Sequence, residues 1–198
     1  MLTKNEIENL IKKPGQARGV VFVTDAKYIL NRKGEDGLRL VEERTKEWGH
    51  FIDYRNIRNM EWYPIGLRAL SLLAVKEVFN WTDKHIEDMG YSAPSYSFIV
   101  KLLMKYFLTL KQTYEKSPAY WVKHYNVGRL KAPEYNEEGK YCVLQLRDFK
   151  IHPILCSYYK GYFRKIAELG ARQKIISCEE VKCAFKGDGY DEYVIRWE

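Results

Sequence analysis

The sequence predicts an α+β fold in which a helical N-terminal two-thirds packs on a C-terminal antiparallel sheet. Three observations point there. Apolar residues recur at helical spacing through roughly the first 125 positions. From Val127 the pattern changes to short β-rich runs divided by turn chemistry, as at Asn136-Glu-Glu-Gly139 and Gly187-Asp188-Gly189. Helices first and an antiparallel sheet later give an α+β plan and not a doubly wound one, and no strand–GxGxxG–helix unit or phosphate loop occurs. At 198 residues the chain predicts one domain over 1–198, with a helical layer to about 125 and a sheet-rich part from about 126.

The elements follow in order. Thr3 and Glu6 form a capping box for a first helix carrying Ile7, Leu10 and Ile11, ended by Pro14-Gly15. Gly19–Val23 is a compact β-branched run and predicts a buried strand. Helices are expected over Asp25–Lys33, closed by Gly34, and over Asp36–Trp48, closed by Gly49. Ile52–Trp62 is polar and irregular. Pro64–Phe79 is apolar around most of its circumference and predicts a central helix. Thr82 caps a short helix expected to end at Gly90, and a longer one is expected over Phe98–Tyr114. Pro118 is read as opening one further helical turn with Tyr120 and Trp121. Strands are predicted over Val127–Ala132 and Lys140–Leu146, then a helix over Leu155–Leu169. A closing hairpin of Lys174–Phe185 and Tyr190–Trp197 completes the chain.

Composition excludes several classes. No apolar run is long enough to cross a bilayer. Met1–Glu6 has no apolar signal stretch, and four scattered cysteines do not make a secreted disulfide framework. A cytoplasmic location is therefore expected. The net charge of +7 comes from 33 basic residues interleaved with 26 acids. Such interleaving makes a solvated surface, so nucleic-acid binding is not expected. No GxSxG or HExxH pattern occurs, and His50, His85, His124 and His152 lie far apart in sequence. An enzyme is not expected.

The densest chemistry lies near the end. Cys156 and Gly161 stand at the front of the last predicted helix. Glu180 and Cys183 stand near the end of a strand, and Asp191 follows the Gly187-Asp188-Gly189 reversal. Soft and hard ligand atoms are thereby offered to one region, as a metal site requires. In an ideal strand Glu180 and Cys183 face opposite ways, so shared coordination needs a bulge. Buried cysteine also packs as a small hydrophobe, and the sequence is consistent with both readings.

The order Cys156, Gly161-Tyr162, Glu180-x-x-Cys183, Gly187-Asp188 and a polar residue at 191 resembles the 4-vinyl reductase, or small-molecule-binding, domain family. That family includes sensory domains of aromatic-responsive regulators and shares its fold with haem–nitric-oxide-binding domains and TRAPP tether subunits. The resemblance implies a zinc held by Cys156, Glu180, Cys183 and Asp191. Asp191 departs from the family's cysteine, and Cys178 is an alternative ligand. It also implies a pocket for a small apolar or aromatic molecule between helices and sheet, for which Trp62, Tyr96, Phe107, Trp121 and Tyr158 are candidates beside simple core packing. Phenol itself is not predicted, because the His and Trp that hold its hydroxyl in relatives cannot be placed. Haem is not expected: the related fold uses a helical His with a Tyr-x-Ser-x-Arg trio, and His85 beside Tyr91–Ser97 lacks the arginine. The resulting expectation is a non-catalytic sensory domain acting through homodimerisation or a separate signalling partner. An interaction scaffold of the same fold is the alternative. A reductase would need a dinucleotide fingerprint that the chain lacks.

Overall fold

The computed structural model describes residues 2–98, 100, 102, 109–170 and 174–198. Among these residues the chain forms six helices, two short strands paired near the N-terminus, and a four-stranded antiparallel sheet near the C-terminus. The predicted class is the observed one. No helix among the described residues is long and apolar enough to cross a membrane.

Helix α1, Lys4–Ile11, opens on the expected capping box, with the Glu6 amide donating to Thr3 Oγ1 at 3.3 Å and the Thr3 amide donating to Glu6 at 2.7 Å. Strand β1, Gln16–Arg18, pairs antiparallel with β2, Trp62–Pro64. Gly19–Val23 does not form a strand; it leads into α2, Val20–Glu47. A short buried apolar run has the same periodicity in either state. Here the Gly19 and Val20 amides bond the Glu61 and Asn59 carbonyls, and the Phe22 and Val23 amides then turn back onto the Gly19 carbonyl, so the run continues as helix. Gly34, at φ 67 and ψ −170, kinks α2 where the sequence divides it.

Helix α3, Ile65–Val78, is central as expected, with Ile65, Leu70, Leu72 and Val75 fully enclosed. Helix α4, Asp83–Tyr96, runs past its expected end at Gly90. Gly90 serves packing instead: a Cβ there would lie 1.9 Å from the Tyr158 carbonyl oxygen. Its counterpart is Gly161, where a Cβ would lie 1.9 Å from the Glu87 carbonyl oxygen. The two glycines let α4 cross α6, Ile154–Gly170, backbone against backbone.

Much of the predicted Phe98–Tyr114 helix lies outside the described residues. Thr109, extended at φ −140, caps a separate α5, Leu110–His124. Pro118 therefore lies inside α5 and does not open a helix. The carbonyl deprived of its amide partner by this proline is that of Tyr114, and Ser117 Oγ donates to it at 2.7 Å.

The sheet has the order β3–β4–β6–β5, built from Arg129–Asn136, Tyr141–Arg147, Tyr190–Trp197 and Ile175–Lys182. Alternation points Cys142, Leu144 and Leu146 of β4, and Asp191, Tyr193, Ile195 and Trp197 of β6, inward. Cross-strand pairs such as Leu146–Asp191, Leu144–Tyr193 and Cys178–Ile195 line up this buried face. Helix α6 lies against β5 and β6, while α5 packs against β3.

Candidate metal centre and ligand cavity

Strand β5 pairs Glu180 with Tyr193 and then Lys182 with Glu192, a register shift that inserts an extra residue. This bulge is the irregularity that Glu180 and Cys183 need in order to share a face. After it, Cys183 precedes a 3-10 turn, Ala184–Lys186, and the Gly187 reversal at φ 104. Two carboxylates fix that turn. Asp188 accepts from the Cys183 amide at 2.8 Å, and Asp191 accepts from the Ala184 amide at 2.7 Å. Cys156 meets them from the first turn of α6, where the helix dipole favours negative charge.

The structure brings Cys156, Glu180, Cys183 and Asp191 together: one ligand atom from each lies within 4.8 Å of all the others. The two sulfurs are 4.0 Å apart. That is far too long for a disulfide and close to the ~3.8 Å edge of a tetrahedron with ~2.3 Å metal–sulfur bonds. Glu180 Oε1 is buried without a hydrogen-bond partner. Burial pushes the Cys156 thiol up, and Asp191, Glu180 and Cys183 push it further. Burial likewise raises Asp191 to about 6 against the Ala184 amide, with Glu180 and Asp188 adding to the rise. These acidic groups repel one another in a small space, which a divalent cation would convert to attraction. Cys178, two residues before Glu180 on the same face, is buried but lies outside the group. An open cleft of about 310 Å³, bordered by Glu87, Lys160 and Glu179, reaches Cys156 and Glu180 from the surface.

A second feature lies between the helices and the sheet. An apolar cavity of about 100 Å³ is walled by Val20, Val21 and Thr24 of α2 and Ala93 of α4. Tyr114, Trp121 and His124 of α5 and Tyr158, Tyr159 and Phe163 of α6 continue the wall. Leu130, Cys142, Leu144 and Ile195 close it on the sheet side. Of the residues expected to line a pocket, Trp121 and Tyr158 are in the wall. Trp62 stands on β2 with the Arg18 guanidinium 3.8 Å above its ring, away from the cavity. Tyr96 packs on the core beside Ser97, a wall residue, without itself reaching the cavity. Phe107 lies outside the described residues.

His124 is a polar wall residue that the sequence did not single out. Its Nδ1–H donates to the Tyr120 carbonyl at 3.0 Å, and burial lowers its pKa, which favours the neutral ring. The Trp121 Nε1–H is committed to the Val127 carbonyl at 3.1 Å. Behind the wall, Arg68 and Asp25 form an ion pair with both side chains 0% exposed. Ser71 Oγ donates to Asp25 at 3.1 Å and shares a 2.7 Å hydrogen bond with the Tyr54 hydroxyl. Sequence reading missed this pair. Its trace is a lone arginine inside Ile65–Val75 and a lone acid inside Val20–Ala26.

An H-NOX protein from S. oneidensis in the Fe(II)NO ligation state superposes at TM-score 0.66 over 91% of this chain and 99% of that one, at 13% identity. A doubly substituted Tt H-NOX matches at TM-score 0.66 over 91% and 94%, at 18% identity. An oxygen-binding H-NOX domain related to soluble guanylate cyclases, in its oxygen complex, matches at TM-score 0.63 over 91% and 95%, at 16% identity. The chain has the H-NOX fold. No protein-family model matches it, and no curated protein does. At these identities the likeness establishes architecture, and function has to be argued from the sites.

Proposed function

We propose that this domain is a non-catalytic small-molecule sensor. Its cavity takes a small apolar or aromatic ligand, and a structural zinc at Cys156, Glu180, Cys183 and Asp191 pins α6 to the β5–β6 hairpin. The observation that carries the reading is the cavity itself: an apolar space of about 100 Å³ at the junction of four helices and the sheet. It is somewhat smaller than the ~150 Å³ apolar cavity that accepts benzene, which suits a single ring or a short chain. The zinc reading rests on the two-sulfur, two-oxygen set, the 4.0 Å sulfur separation and the unpartnered Glu180 oxygen. These features agree with the resemblance to small-molecule-binding domains noted from the sequence. A bound ligand would act by changing how α6 packs, with the signal leaving through a second copy of the chain or a separate partner.

Native mass spectrometry of the purified domain, compared with the denatured sample, tests both parts. One excess mass of zinc, lost on unfolding, supports the metal centre. An organic adduct, or a rise in melting temperature with one-ring hydrocarbons, supports the cavity. Protein that carries no zinc after supplementation and responds to no apolar compound returns both features to packing. The interaction scaffold would then be the better account.

The fold gives specific grounds for a second reading, a haem-based gas sensor like the solved neighbours. Among the described residues the fit is poor. The cavity is well below the ~300 Å³ lower bound of ordinary cofactor sites. His85 lies outside the wall with its Nδ1 engaged at the Thr82 cap, which leaves His124 as the one wall histidine. Incubation with haem separates the readings: a Soret band that changes in His124→Ala would favour gas sensing over the apolar-ligand sensor.

A further inference from the structure

The buried Arg68 guanidinium is only partly used. Its Nη1 bonds Asp25, whereas Nε and Nη2, the edge that binds carboxylates side-on, have no hydrogen-bond partner. The side chain is 0% exposed, so no bulk water serves that edge. Unmet buried donors are costly and uncommon in native interiors. Asp25 Oδ1 and the Tyr159 hydroxyl are further buried polar atoms without a well-formed hydrogen bond. The surroundings connect these groups to the cavity. The guanidinium carbon lies 4.4 Å from the Tyr158 ring centre, and the Tyr125 hydroxyl is the group that both Arg68 and Tyr159 approach, in loose side-chain hydrogen-bond interactions short of a well-formed bond. Tyr125, Tyr158 and Tyr159 all stand in the cavity wall. The incompletely bonded fork thus sits behind the tyrosine wall of an otherwise apolar space, and a ligand carboxylate would reach it by displacing the loose Tyr125 contact.

We propose that the ligand of this cavity is a small carboxylic acid, its apolar or aromatic body in the cavity and its carboxylate taken by the Arg68 fork and the Tyr159 hydroxyl. The inference rests on the cavity being a ligand site and adds the chemistry of the head group. A planar two-oxygen acceptor matches the Nε–Nη2 edge in both hydrogen bonds, as a hydroxyl or a lone carbonyl cannot. The charge can also be balanced. Asp25 faces Arg68 and Ser71 of α3, with Tyr54, Tyr125 and Tyr158 nearby. Its burial raises it to about 6 in spite of Arg68. It can therefore take a proton when a second carboxylate arrives, keeping the buried site near neutral.

The probes are benzoate and phenylacetate against toluene, which has a comparable body and no head. Titration calorimetry at pH 6 on the intact chain should show the carboxylates binding at least 10-fold more tightly than toluene. Arg68→Lys keeps the positive charge and removes the fork. It should weaken the carboxylates at least 10-fold and leave toluene within 2-fold. Should Arg68→Lys fail to fold, Tyr159→Phe removes one hydroxyl at nearly constant volume and should weaken the carboxylates severalfold while sparing toluene. Toluene binding with no carboxylate preference, or carboxylate binding indifferent to both substitutions, overturns the head-group assignment and leaves the cavity reading standing. Binding of none of the three compounds overturns both.

Discussion

The α4–α6 crossing makes a sharp quantitative demand. In Gly161→Ala the new Cβ would start 1.9 Å from the Glu87 carbonyl oxygen and 2.8 Å from the Tyr91 amide nitrogen. Both are backbone atoms of α4, so no side chain can swing aside. Restoring an ordinary carbon–oxygen contact of ~3.3 Å requires the helices to part by about 1.4 Å. Overpacking of a fixed interior costs about 1–3 kcal/mol, and a backbone obstacle belongs at the upper end. Alanine returns about 1 kcal/mol of helix propensity, leaving a net loss near 2 kcal/mol. For a domain of this length that corresponds to a fall of roughly 4–8 °C in melting temperature. Gly90→Ala meets the Tyr158 carbonyl oxygen at 1.9 Å and should cost a similar amount. Because both substitutions force open one interface, the double variant should lose less than the sum. Gly189→Ala has open space within 4 Å and serves as the control. Thermal and urea denaturation followed by circular dichroism read all four proteins. A Gly161→Ala protein as stable as the parent would refute the close crossing and, with it, the placement of Cys156 and Tyr158.

Other outcomes follow from the same geometry. Cys183→Ser should abolish stoichiometric zinc in metal analysis and lower the melting temperature, whereas Asp191→Cys should retain zinc and resist chelator longer, because thiolate replaces carboxylate. Unchanged metal content in Cys183→Ser would place zinc elsewhere. Asp25, raised by burial from 3.8 to about 6, keeps its proton in the folded state over an interval where the unfolded chain has released it. Its contribution to stability is therefore greatest below about pH 4 and declines as pH rises toward 6. Asp25→Asn should flatten that part of a stability–pH profile, and an unchanged slope would show that burial does not govern this carboxyl. Ser117→Ala removes the hydroxyl that serves the Tyr114 carbonyl beside Pro118 and should cost about 0.5–1.5 kcal/mol in denaturant melts; no loss would mean that water replaces it.

Sequence pattern exposed the fold class because periodicity is written locally: the capping box at Thr3, the division at Gly34 and the alternation of β4 and β6 each lie within one element. The errors share another cause. Gly19–Val23 and Gly90 take their roles from partners elsewhere, the first from the Asn59–Glu61 carbonyls and the second from the Tyr158 backbone. Pro118 has the preference of a first-turn residue, yet a serine one residue earlier makes it tolerable within α5. The four residues of the candidate metal centre were legible as a spacing. Whether Glu180 and Cys183 could meet depended on a bulge visible only in the pairing with β6. The Arg68–Asp25 pair, 43 residues apart, carries no motif and emerges only from the packing of α2 on α3.

Helix α6 is common to everything proposed here. Cys156 in its first turn belongs to the ligand cluster, Tyr158, Tyr159 and Phe163 line the cavity, and Gly161 sets the crossing with α4. These positions fall within about two helical turns, so they move as one rigid piece. A zinc that restrains the first turn then also restrains the cavity wall. Ligand and metal affinities should consequently be linked, and linkage is reciprocal: whatever factor zinc adds to ligand binding, the ligand adds to zinc binding. Titrating benzoate into zinc-loaded and zinc-stripped protein measures that factor. Equal affinities would mean that α6 is held by its packing on α4 and the sheet alone, and that the metal centre has no part in sensing.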